Sequence, residues 1–187
     1  MELTPEKVRQ MLNILLLEAK RQRSNIPYSR VDDLAQAIVV LGPNLEVSSL
    51  PVTWRDEREK YAKFKAVSKA AQETFAQAVC LITDVRWVED KRASEMLGIP
   101  PLEEVGIEAF GQNYKRVVTE RFGGYLGNAP RGLYSEAIII IMKGPRLGGP
   151  QMLSAPYEEG PNDTIRWLKQ PVETKAHNFN LLPDWWC

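Results

Sequence analysis

The chain has 187 residues, 44% hydrophobic and 26% charged, which is enough apolar material to build a core without a metal or disulfide staple. Lysine plus arginine equal aspartate plus glutamate at 24 each, so no overall field draws the protein to nucleic acid or to an acidic membrane surface. Two cysteines and one histidine, His177, give neither a disulfide framework nor a zinc spacing, and no metal or cofactor is expected.

The first twenty residues, MELTPEKVRQMLNILLLEAK, carry charges throughout, and their longest apolar run is Ile14 to Leu17. That fits neither a signal peptide nor a membrane span, so the expected location is cytoplasmic. Thr4, Pro5 and Glu6 read as a helix start: an N-cap hydroxyl, then a proline where no amide partner is needed. Val8, Met11, Leu12, Leu15, Leu16 and Ala19 follow at helical spacing, predicting one apolar face on a helix from about Pro5 to Arg23. Lys20, Arg21 and Arg23 at its end, with Arg30 beyond, complement the helix dipole better than they form a patch for polyanions.

Two extended runs, Ala35 to Leu41 and Leu45 to Val52, meet across Gly42, Pro43 and Asn44 and predict a β-hairpin. The first run is apolar on both faces and belongs in the sheet centre; the second, with Glu46, Ser48 and Pro51, belongs nearer an edge. A second helix is expected from near Thr53, with Asp56 closing the cap and Tyr61, Phe64, Val67, Ala71, Phe75 and Ala78 as its buried stripe.

Val79 to Val88 is the third strand and Leu133 to Lys143 the fourth and most apolar. The long stretch between them predicts an insertion with structure of its own, a short helix at Glu89 to Leu97 and another at Gln112 to Phe122, each stopped by glycine. QMLSAPYE and TIRWLKQ, separated by turn residues, complete the strands.

This order predicts an α+β fold, a mixed, mainly antiparallel sheet of about five to six strands, with two long helices on one face and a helical insertion between strands three and four. Residues 1–170 are expected to form one domain, with 89–132 inserted and 171–187 as an extended aromatic tail. The order of elements is similar in outline to roadblock and longin modules and to profilin-like sheets. That resemblance rests on topology over about two thirds of the chain and implies binding to other proteins.

Three groups of residues are candidates for a site. In RFGGYLGNAPRGLY, the amides around Gly124 and Gly127, with Arg121 and Arg131, have the composition of an anion cradle. The stretch lacks the ending of a Walker loop and runs from helix to strand, so a helix stop followed by a return to the sheet is the simpler interpretation. Asp84 and Glu136, on strands three and four, are the weak candidates for an acid and base pair, with Arg86 on the face of Asp84; a cross-strand ion pair is the alternative.

The third group is the terminal NFNLLPDWWC, with Phe179, Leu181, Leu182, Trp185 and Trp186 as partner-binding candidates. Burying its three aromatic rings gives on the order of 10 to 15 kcal/mol as an upper bound, against roughly 9 to 18 kcal/mol to order nine residues. The segment therefore needs a prepared groove or an open sheet edge. The expected function is a non-catalytic protein-interaction or assembly module, homo-oligomeric or bound to another protein, with the tail docked on its own domain or a neighbour. The alternative is a small enzyme or an anion- or phosphate-binding protein that uses residues 121–134 and the insertion as a lid.

Overall fold

Thr4 caps the first helix. Its backbone is extended (φ −85°, ψ 159°), its hydroxyl accepts the Lys7 amide at 3.4 Å, and α1 runs Pro5–Ser24. The computed structural model describes residues 3–33, 36–53, 57–130, 132–168 and 172–175. Val8, Leu12, Leu16 and Ala19 form the buried stripe of α1, with Met11 and Leu15 packed beside it. Ile14 and Leu17, part of the same apolar run, point outward at 63% and 68% exposure, because a helical period sends residues two places from the stripe to the opposite side.

The hairpin forms as β1 (Gln36–Leu41) and β2 (Val47–Val52), paired antiparallel from Gln36 opposite Val52 to Leu41 opposite Val47. The Gly42 amide donates to the Glu46 carbonyl at 2.9 Å and closes it. Next come α2 (Glu57–Glu73) and β3 (Ala78–Trp87). β3 is also antiparallel to β1, so β2 and β3 run parallel on either side of β1, and α2 is the crossover such a pair requires. Tyr61 and Phe75 are not part of a buried stripe: they are 63% and 82% exposed, and Phe75 sits beyond the end of α2 with a positive φ of 54°.

Four more strands follow: β4 (Ser135–Lys143), β5 (Gln151–Glu159), β6 (Ile165–Trp167) and β7 (Val172–Lys175). The order across the sheet is β2-β1-β3-β4-β5-β6, with β7 also paired to β5. β6 pairs with Tyr157–Glu159 and β7 with Gln151–Ser154, so the two form successive pieces of one edge, offset by two residues in register. The result is an α+β fold on a six-strand antiparallel sheet. β7 falls inside the stretch that the sequence assigned to the tail.

Against one face of the sheet, α1 buries Val39, Leu41, Cys80, Ile138, Ile140, Met142, Leu153, Ala155 and Tyr157. The residues of opposite orientation, Ile38, Leu81, Ile139 and Ile141, are buried to the same degree. Both faces of the central strands are thus covered, and Phe64 and Ala71 of α2 are buried outside the α1 cluster.

The chain divides into two compact units, residues 1–84 with 138–187, and Val85–Ala137. The second contains α3 (Asp90–Leu97) and α4 (Leu102–Phe122) around Val88, Ala93, Leu97, Phe110, Val117, Val118 and Leu126. α4 starts ten residues earlier than the sequence indicated and is interrupted at Gly106, whose positive φ of 76° no ordinary helical residue adopts. Among the described residues no helix is long and apolar enough to cross a membrane.

Candidate functional site

The basic cluster at the end of α1 is absorbed by the fold. Arg23 continues the stripe of Leu12, Leu16 and Ala19 inward and is completely buried. Its Nε lies 3.5 Å from Asp84 Oδ2, and its remaining donors reach the carbonyls of Ile26 (3.1 Å), Pro27 (3.4 Å) and Tyr28 (3.3 Å). The Tyr157 hydroxyl donates to the same Asp84 oxygen at 2.6 Å. Arg21 pairs with Glu18, and the Lys20 ammonium sits 4.4 Å from the centre of the Trp167 ring. These cations serve local partners, which accounts for a basic run in a chain without net charge.

In the second unit, Arg86 Nε and Glu136 Oε1 are 2.9 Å apart and both are largely buried. The Arg86 guanidinium also donates to the Tyr125 hydroxyl and lies over the Tyr125 and Tyr134 rings at 5.1 and 5.7 Å. Burial pulls the pKa of Arg86 down, but hydrogen bonds to Glu136 and Tyr125 outweigh it and the net shift is upward. Asp84 therefore has Arg23 as its ion-pair partner and Glu136 has Arg86. Each carboxylate is held as an acceptor in a guanidinium pair, an arrangement that suits structural roles.

The glycine-rich stretch closes a helix. Gly123 (φ 66°) and Gly124 (φ 84°) donate their amides to the carbonyls of Thr119 and Val118, both at 3.1 Å, so two left-handed glycines satisfy the last carbonyls and end the helix. Gly127 leaves room for its neighbours, since a Cβ there would strike the Tyr125 ring and come 2.8 Å from Arg86 Nη1. Arg121 is exposed in the last turn of α4, and Arg131 lies outside the described residues. Cys80 is buried in the sheet, and burial pushes its thiol well above the ordinary range, so it is an inert core residue.

Two surface features remain, one at the sheet edge where the sequence placed β2 and one that no sequence pattern announced. The first is β2, an edge strand on which five of six residues are exposed, Val47 and Leu50 at 55% and 49%. The Gly42–Glu46 hydrogen bond sets the phase of the hairpin ladder, so Val47, Ser49 and Pro51 turn their backbone groups away from β1. Pro51, with no N–H to offer, thus occupies an outward position and costs the hairpin nothing. The sequence VSSLPV carries no charge, whereas protected edges commonly present lysine or an inward charge.

The second feature is a cavity of about 440 Å³ between α1 and the start of β5. Leu3, Val8, Leu12, Leu147, Met152 and Leu153 make its apolar floor, and Arg9, Asn13, Arg146 and Gln151 add polar groups. The sequence gives no signal for it, because its lining comes from three separated segments, each of which reads as ordinary amphipathic structure.

Phe179, Leu181, Leu182, Trp185 and Trp186, with His177 and Cys187, lie outside the described residues. Among the described residues no group of three or more His, Cys, Asp or Glu side chains is placed to hold a metal ion. No protein-family model, no curated protein and no solved structure matches the chain.

Proposed function

We propose that the protein is a non-catalytic interaction module that assembles with a second copy of itself by strand addition at β2, with the aromatic C-terminal segment as a further contact element. The observation that carries this reading is the long, exposed and uncharged β2 edge. Its outward ladder is self-complementary. In an antiparallel pairing about a two-fold axis at Ser49, the two Ser49 residues exchange both backbone hydrogen bonds, and each Val47 amide reaches the Pro51 carbonyl of the other copy. The missing proline donor removes only the inner of the two bonds in each Val47–Pro51 pair. No like charges oppose each other across the axis, and the exposed Val47 and Leu50 supply apolar contact on the two faces of the joined sheet. The partnered ion pairs at Asp84 and Glu136 are consistent with a scaffold rather than a reaction centre.

The test is the mass in solution, by light scattering across a concentration series. Ser49→Pro deletes only the outward N–H and leaves the hairpin bonds to β1 in place, and it is expected to convert a dimer into a monomer with unchanged circular dichroism. Ser49→Ala, which keeps that N–H, is expected to remain dimeric. A wild-type chain that stays monomeric at the highest concentration, or a Ser49→Pro variant of unchanged mass, overturns the reading.

A further inference from the structure

The geometry points to the cavity between α1 and β5 as the seat of this chain's own C-terminal segment, with Trp185 and Trp186 against its apolar floor and Asp184 against Arg9 and Arg146. The inference rests on the reading of that segment as a contact element and adds where it lands. Three independent observations converge on it.

The first is size and chemistry. A cavity of about 440 Å³ with an aliphatic floor and polar groups at its margin falls within the range of pockets that bind aromatic ligands. Indole rings have the shape for it, and their N–H groups find acceptors at a partly polar rim. The second is charge. Asp184 is the one formally charged residue in the last twelve, and it is adjacent to Trp185. Two guanidinium groups line the cavity, and the N-terminal half of α1, which supplies Arg9, adds the positive end of the helix dipole.

The third is the point of departure. β7 is antiparallel to β5, and its last residue, Lys175, stands opposite Gln151, which itself lines the cavity. The chain therefore leaves the sheet beside the cavity. Nine residues separate Lys175 from Trp185, enough to reach out about 30 Å or to turn back at Pro183 over a much shorter distance. A tether this short holds the tryptophans at millimolar effective concentration, so a weak intrinsic contact is sufficient to keep the cavity filled. Docking within the same chain is favoured over exchange between copies for that reason.

Cys187, next to the tryptophans, serves as a native reporter, since Cys80 is buried. In the full-length chain, Asn13→Cys places a thiol at the cavity, and Lys65→Cys places one on the exposed side of α2. Under mild oxidation, N13C is expected to form an intrachain disulfide to Cys187 roughly ten times faster than K65C. Adding W185A and W186A to N13C is expected to bring the rate down to that of K65C, and D184K to slow it, whereas D184E retains it. Equal rates for N13C and K65C overturn the inference, as does a disulfide between two chains instead of within one. The same rates measured in an S49P background separate the two proposals: loss of β2 pairing changes the mass and leaves the cross-link intact.

Discussion

Arg23 and Asp84 meet 3.5 Å apart in the interior of the first unit, and the Tyr157 hydroxyl donates to the same Asp84 oxygen at 2.6 Å. A buried guanidinium is tolerated because four of its contacts are to an acid or to backbone carbonyls. Replacing one partner leaves the other charged and without compensation. Arg23→Met is expected to lower unfolding stability by about 3 to 5 kcal/mol in urea titration. Tyr157→Phe, which removes one hydrogen bond to a charged acceptor, is expected to cost about 1 to 3 kcal/mol. Similar losses for the two variants would show that the arginine does not anchor the network.

Glu136 and Arg86 form the corresponding pair in the second unit, with Tyr125 and Tyr134 packed on the guanidinium. Glu136→Gln keeps the shape and removes the charge. It is expected to destabilise by about 2 to 4 kcal/mol, seen as a lower thermal midpoint. Glu136→Asp, which retains the charge on a shorter stem, is expected to recover part of that loss.

Gly144, just past β4, is pressed against the backbone of Gln77 and Ala78, and a Cβ there would overlap the Gln77 carbonyl oxygen. Backbone atoms in a sheet cannot swing aside as the end of a side chain does. Gly144→Ala is therefore expected to cost about 1 to 3 kcal/mol in chemical denaturation. An alanine accepted without loss would mean that the turn after β4 gives way.

Glu18 titrates at about 2 instead of its ordinary 4.5, because the hydrogen bond from Arg21 and then the one from Gln22 favour the carboxylate. A depressed acid stabilises the folded helix fully above its unfolded value, and that contribution disappears as pH falls from about 4.5 towards 2. The pair is on the surface, so salt screens it. Carboxyl NMR is expected to show a midpoint near 2 that rises towards 4.5 in Arg21→Ala and in high salt. An unchanged midpoint in Arg21→Ala would assign the shift elsewhere.

The periodic elements were legible along the chain because their cause is local. Thr4 and Pro5 start α1, Gly98 and Gly123 end α3 and α4 in left-handed conformations, and Gly42 to Asn44 turn the β1–β2 hairpin. The sequence signal for α4 begins ten residues late because Gly106 and Gly111 weaken it, while burial of Phe110 within the second unit holds the early turns in place. Tyr61 and Phe75 show the converse, since helical spacing alone does not reveal where a helix ends or which flank of its stripe meets the sheet.

The sequence by itself determined the α+β class, the edge position of β2 and the internal place of Cys80. Each follows from patterns read over a few neighbouring residues. Only the tertiary structure decided that Arg23 turns inward to Asp84, and that Arg9, Leu147 and Met152 line one cavity beside the end of β7. Those facts depend on contacts between residues far apart in sequence, and a pattern along the chain contains no term for them.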